Sequence, residues 1–184
     1  MFLLLCLVTS SAALLTEDYC WRDYNGHIPS DAFPAGLDRN GNSIYLGQTL
    51  YSNLIIPGKI LKNDNNIYFE WAGNEVRKSD NVKIFCTNQP QKFEWITTEK
   101  QNLLKLINEL EIINGGFEPD YHTFMGRALS DGETLVGKVV CRESNCLGLL
   151  TTKNGKTREH NTYQLLTYNS KKKNLNKCIN INFY

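Results

Sequence analysis

The run Ala35-Gly-Leu-Asp-Arg-Asn-Gly-Asn-Ser-Ile-Tyr-Leu-Gly-Gln-Thr-Leu-Tyr-Ser-Asn-Leu-Ile-Ile-Pro-Gly-Lys-Ile60 has a diverged copy between Gly115 and Val139. Gly115-Gly116-Phe117-Glu118 answers Ala35-Gly36-Leu37-Asp38. Phe124-Met125-Gly126-Arg127-Ala128 answers Tyr45-Leu46-Gly47-Gln48-Thr49, and Val136-Gly137-Lys138-Val139 answers Pro57-Gly58-Lys59-Ile60. Each copy carries an acid early, a short apolar strand and a Gly-Lys step late. A repeated unit usually cannot bury its apolar face alone, so two copies predict one pseudo-symmetric domain with one polar site per repeat.

Outward from this run, Asp38-Arg-Asn-Gly-Asn42 reads as a turn, because Asn-Gly supplies positive φ at little cost. Ser43 to Tyr51 alternates as a strand, and Pro57-Gly58 is expected to turn the chain and place Lys59 at the start of the next one. Further strands are predicted over Ile67–Trp71, Val82–Cys86, Thr123–Ala128, Leu135–Cys141, Cys146–Thr151 and Tyr163–Thr167. Trp95 plays the part ahead of the second repeat that Trp21 plays at the head of the first. Between them and the second copy, Leu103, Leu104, Ile107 and Leu110 recur at helical spacing, predicting a short packing helix within 98–110 that starts near Thr98. The expected fold is all-β and mainly antiparallel, two intertwined repeats forming one β-sandwich-like domain. The repeats are read as 20–96 and 97–168, followed by a basic tail, 169–184, in which Cys178-Ile-Asn-Ile-Asn-Phe alternates like an edge strand.

The 184 residues suffice for one domain, and 20 Lys+Arg against 19 Asp+Glu give no drive toward nucleic acid or an anionic membrane. Lys171-Lys172-Lys173 is read as a solvated loop. Residues 1–13 join a short apolar core to small residues, the pattern of a secretory leader, which predicts a secreted, extracellular protein without membrane insertion. Without Cys6 five cysteines are left, Cys20, Cys86, Cys141, Cys146 and Cys178. An oxidising compartment then suggests two disulfides and one free or intermolecular thiol, or fewer bridges. Cys141 and Cys146 flank the polar turn Arg-Glu-Ser-Asn and are the pair expected to close a hairpin.

Asp38, Asn40 and Asn42 imitate a calcium loop, but Ser43 stands at its glycine position and Thr49 at its bidentate glutamate. His27, His122 and His160 fall in no spacing with a nucleophile or metal partner, and hydrolase and phosphate-loop motifs are missing. No enzyme, metal or cofactor is expected. Asp38 with Lys59, and Glu118 with Lys138, are the candidate site residues because they recur together. A carboxylate accepts from two neighbouring sugar hydroxyls while an ammonium donates to hydroxyl or ring oxygens, so the pair reads a diol without a metal. Tyr45, Tyr51 or Trp71 are candidates to cover the sugar's apolar face.

These residues carry a resemblance to the DM-nine repeat family. Its skeleton is seen in Trp21, Pro29, Ala32, Ala35-Gly36-Leu37-Asp38, Tyr45-Leu46-Gly47-Gln48-Thr49, Pro57-Gly58-Lys59-Ile60 and Gly73-Asn74-Glu75, within a match spanning Trp21 to Tyr168. The resemblance implies two strand-exchanging repeats about a pseudo-twofold axis and metal-independent mannose recognition by Asp38 and Lys59. The second repeat departs from the pattern: Glu118 replaces Asp, Val136 replaces Pro, and one residue fewer precedes Gly137-Lys138. Gln48 departs from the family's Arg, which Arg127 keeps. The expected function is therefore a mannose-binding lectin of glycan or microbe recognition, gaining avidity from two sites or a homodimer. The alternative is a secreted interaction or immune effector protein that keeps the fold without the sugar site. A membrane-acting toxin is a third reading, for which the chain has no room beside its repeats.

Overall fold

The structure is a computed structural model, and it describes residues 18–142 and 145–172. The expected leader and the Cys178 strand lie outside the described residues. The described residues form thirteen strands, most of them rich in branched and aromatic apolar residues: β1 (Tyr19–Asp23), β2 (Pro34–Leu37), β3 (Ser43–Tyr51), β4 (Leu54–Leu61), β5 (Ile67–Trp71), β6 (Asn74–Lys78), β7 (Val82–Thr87), β8 (Phe93–Glu99), β9 (His122–Ser130), β10 (Glu133–Arg142), β11 (Asn145–Lys153), β12 (Lys156–His160) and β13 (Thr162–Tyr168). Among the described residues one α-helix, α1 (Leu103–Glu109), follows β8.

All strands join one antiparallel sheet in the order β1-β7-β3-β4-β5-β6-β12-β11-β10-β9-β13-β8, with β2 on β3. Read inward from either end, the order is the same pattern twice: β1 corresponds to β8, β7 to β13, β3 to β9, β4 to β10, β5 to β11 and β6 to β12. Registers confirm the equivalence. Gly47 faces Gly58 as Gly126 faces Gly137, and Trp21 lies opposite Phe85 as Trp95 lies opposite Leu166. The halves meet where Lys156 of β12 faces Asn74 of β6.

The sheet curls until its ends share a core. Tyr19 on β1 packs edge-on against Phe93 on β8 at 5.5 Å and against Tyr168 at 5.4 Å, and Phe85 joins the same cluster. The sandwich-like layering thus comes from one curled sheet. Each half keeps its own apolar cluster, around Ile56, Ile60, Phe69 and Ile84 in the first and Val139, Leu149, Leu165 and Leu103 in the second. Burial of Leu103 is what holds α1 against the second half.

Two local expectations are corrected. Pro57-Gly58 lies inside β4, with Pro57 opposite Gln48, and the turn sits earlier at Ser52-Asn53, both with positive φ. Proline is tolerated because β4 pairs with β5 only at Lys59 and Ile60, so the edge at Pro57 asks for no ladder donor there. Thr98 is still in β8, opposite Tyr163, and the helix starts at Leu103; pairing with β13 overrides the local cap signal.

Candidate functional site: two lysines at the seam between repeats

Gly58-Lys59 and Gly137-Lys138 occupy equivalent positions on β4 and β10, and each lysine reaches across to the other repeat. Lys59 donates to the Thr152 carbonyl of β11 and pairs with Glu75 of β6 at 3.2 Å. Lys138 pairs with Glu70 of β5 at 3.1 Å and with Glu118 at 3.1 Å, and its ammonium lies 5.5 Å from the Trp71 ring. Register makes Glu70 and Thr152 equivalents, since each lies two residues beyond the partner that faces its lysine, Tyr68 for Lys59 and Leu150 for Lys138. The pseudo-twofold axis therefore places one lysine on each side of the seam.

Around Lys59 the seam opens into a cleft of about 300 Å³. Asp38, Tyr68 and Glu75 come from the first half, and Glu133, Lys153 and Asn154 from the second. Glu133 is paired with Lys153 and with Arg39, the latter at 3.3 Å. The Glu75 carboxylate also accepts from the Gly155 amide at 3.2 Å. Burial pulls Lys59 below the usual lysine range against the opposing pull of Glu75. Burial works to raise the Glu75 carboxyl, but the Thr152 side chain, the Lys59 charge and the Gly155 amide together hold it low.

Asp38 and Lys59 line one cleft, yet among the described residues the acid paired with Lys59 is Glu75. The Asp38 carboxylate is bound into its own turn: Oδ1 accepts from the amides of Asn40 and Asn42, each at 2.8 Å, and Oδ2 from the Asn42 side chain at 3.1 Å. These bonds hold its carboxyl below the ordinary range, the Asn42 amide first. Glu118, by contrast, does reach Lys138. The longer carboxylate reaches the ammonium, and Lys138 ends between two acids and a ring, with its side chain 5% exposed.

Cys141 and Cys146 form the expected hairpin disulfide, facing each other on β10 and β11. Of the aromatics proposed to cover a sugar, Tyr51 packs on Phe69 and Trp71, and Tyr45 on the first-half core. Tyr68 is the ring that lines the cleft, its hydroxyl donating to Asp64 at 2.7 Å. Sequence reading missed Tyr68, Glu133 and Lys153. Glu75 was visible only as part of the Gly-x-Glu skeleton. Glu133 and Lys153 come from the other repeat, so nothing near Lys59 in the chain points to them. The cleft continues over Glu133 and Thr134 into a groove walled by Leu37 and Leu129, 52% and 73% exposed.

Fold and site define a tandem-repeat, all-β protein whose repeats are joined by reciprocal lysine bridges. The DM9 repeat model matches residues 4–78 and 38–149, and the chain belongs to the DM9 repeat family. No curated protein matches it. Among solved structures, the nematode sperm cell motility protein MFP2B is similar, with a TM-score of 0.57 at 11% identity over 89% of this chain and 48% of that one. That likeness shows a shared fold, and the chain spans about half the length of MFP2B.

Proposed function

We propose that the Lys59 cleft binds carbohydrate, and that the protein is a secreted, metal-independent mannose-binding lectin. The observation that carries this reading is the lining itself: the ammonium groups of Lys59 and Lys153 alternate with the carboxylates of Asp38, Glu75 and Glu133 in one small cleft. Such a set has little net attraction for an ion of either sign. It offers fixed donors and acceptors to a neutral polyol, whose adjacent hydroxyls both give and take hydrogen bonds. Leu37 and Leu129 beside it give the C–H face of a sugar an apolar ledge. Family membership supports carbohydrate binding, and the narrower choice of mannose rests on the resemblance of Asp38 and Lys59 to the family's sugar contact. Glycan or microbe recognition is the role this binding would serve.

The test is retention of the purified protein on immobilised mannose in the presence of chelator, with free mannose as competitor. Retention reversed by mannose is expected, with at least tenfold weaker binding in Asp38→Asn and Glu133→Gln, two substitutions that keep side-chain shape. Passage through mannose and through a panel of other immobilised glycans would overturn the reading.

A further inference from the structure

β1 and β7 place Cys20 directly opposite Cys86 in antiparallel register, on the sheet face away from the Trp21–Phe85 contact. Opposed residues of an antiparallel pair have Cα atoms about 4.5–5.5 Å apart, within the span a disulfide bridges. Both are thiols in the structure, Cys20 exposed and Cys86 buried. They share their face with Arg22, which is bidentate to Asp31 at 2.7 Å, and the guanidinium lies within electrostatic reach of both sulfurs. Asp31 also reaches the Cys86 thiol. Burial, with Asp31 next, pushes that thiol up to about 11.

We propose that Cys20 and Cys86 are a cross-strand dithiol site that closes to a disulfide on meeting a small-molecule disulfide such as oxidised glutathione. The exposed Cys20, as thiolate, attacks one sulfur of the oxidant and releases one glutathione thiolate, leaving a mixed disulfide on Cys20. Cys86 then gives up its proton and its sulfur attacks Sγ of Cys20, releasing the second glutathione. Two protein thiols are oxidised by two electrons, and one glutathione disulfide is reduced to two thiols. The buried, proton-retaining Cys86 makes the second step the slow one. The bond ties the terminal strand of the sheet to β7 and closes a long loop, constraining the unfolded chain strongly.

Protein incubated with oxidised glutathione is alkylated without reduction, digested and mapped by mass. A Cys20–Cys86 peptide is expected, absent in Cys20→Ser and in Cys86→Ala, while the Cys141–Cys146 link persists in both. Oxidation is expected to raise Tm by roughly 5–10 °C in the unsubstituted protein and not in Cys20→Ser. Alkylation of both cysteines after oxidation, a lasting glutathione adduct on Cys20, or a link from Cys20 to a second copy or to another cysteine overturns the proposal. The map is read independently of any sugar binding.

Discussion

Lys138 shows how much one buried charge depends on its partners. Its ammonium is held by Glu70, Glu118 and the Trp71 ring, and removing it strands two carboxylates at sites 8% and 12% exposed. Lys138→Ala is expected to destabilise the protein by about 3–5 kcal/mol, read from urea unfolding, because an uncompensated buried charge costs more than the pair contributed. Glycine at 116 is as constrained for a steric reason: a Cβ there would sit 2.1 Å from the Ile55 carbonyl oxygen, where the loop bearing Glu118 bridges to β4. Gly36 repeats the device against the Thr134 side chain. Gly116→Ala should lose about 1–3 kcal/mol by the same measurement, since backbone must move to admit the methyl. Both glycines are legible in the sequence as the step before the apolar-acid pair, but only the fold shows that they let one repeat press on the other.

At the scale of elements, the β10–β11 hairpin is closed by Cys141–Cys146 across a sequence separation of 5. So short a loop constrains the unfolded chain modestly, and Cys146→Ser should cost about 2 kcal/mol without unfolding the domain. The β11–β12 hairpin carries a pH-sensitive contact. His160 lies 2.8 Å from the Thr151 hydroxyl, and burial, with Arg158 next, holds its pKa below the ordinary histidine value of 6.5. A base whose folded pKa is depressed contributes stability that is full above the unfolded value and is lost as pH falls through the folded one. Amide exchange along Thr151–Lys153 should therefore quicken relative to the core below about pH 6.5, and His160→Gln should remove that dependence. Most strand positions were legible because branched and aromatic apolar residues concentrate in each run, whereas the polar runs of β6 and β12 carry no such signal. The register that pairs Lys59 with Glu75 depends on where β5 and β6 return, which alternation alone does not specify.

At the scale of the molecule, the curl is clasped where the sheet's ends meet. The Asp18 carboxylate accepts from Lys92 at 2.5 Å and from the Tyr168 hydroxyl. The Lys92 bond, then the Tyr168 bond, holds Asp18 below its ordinary range, while the same Asp18 contact pushes the Tyr168 phenol up to about 12. The depressed carboxylate contributes stability above about pH 4, lost as pH falls through its folded value. The raised phenol contributes stability below about pH 10, lost as pH rises toward its folded value of about 12. The Tm difference between the protein and Tyr168→Phe should be flat from about pH 5 to 9 and shrink at both extremes. A difference that persisted in strong acid would remove Asp18 as the partner that matters.

The sequence alone determined the tandem repeat, the all-β class, most strand positions, the hairpin disulfide and the recurrence of an acid with Gly-Lys, because each is written in local period or in self-similarity. Tertiary structure decided what those residues meet. Lys59 and Lys138 each find one partner on the opposite repeat, the Thr152 carbonyl and Glu70, Asp38 turns its carboxylate into its own loop, and Cys20 comes to face Cys86. Contacts across a pseudo-twofold seam join positions far apart in the chain, and the curl of the sheet, not any local pattern, brings them together.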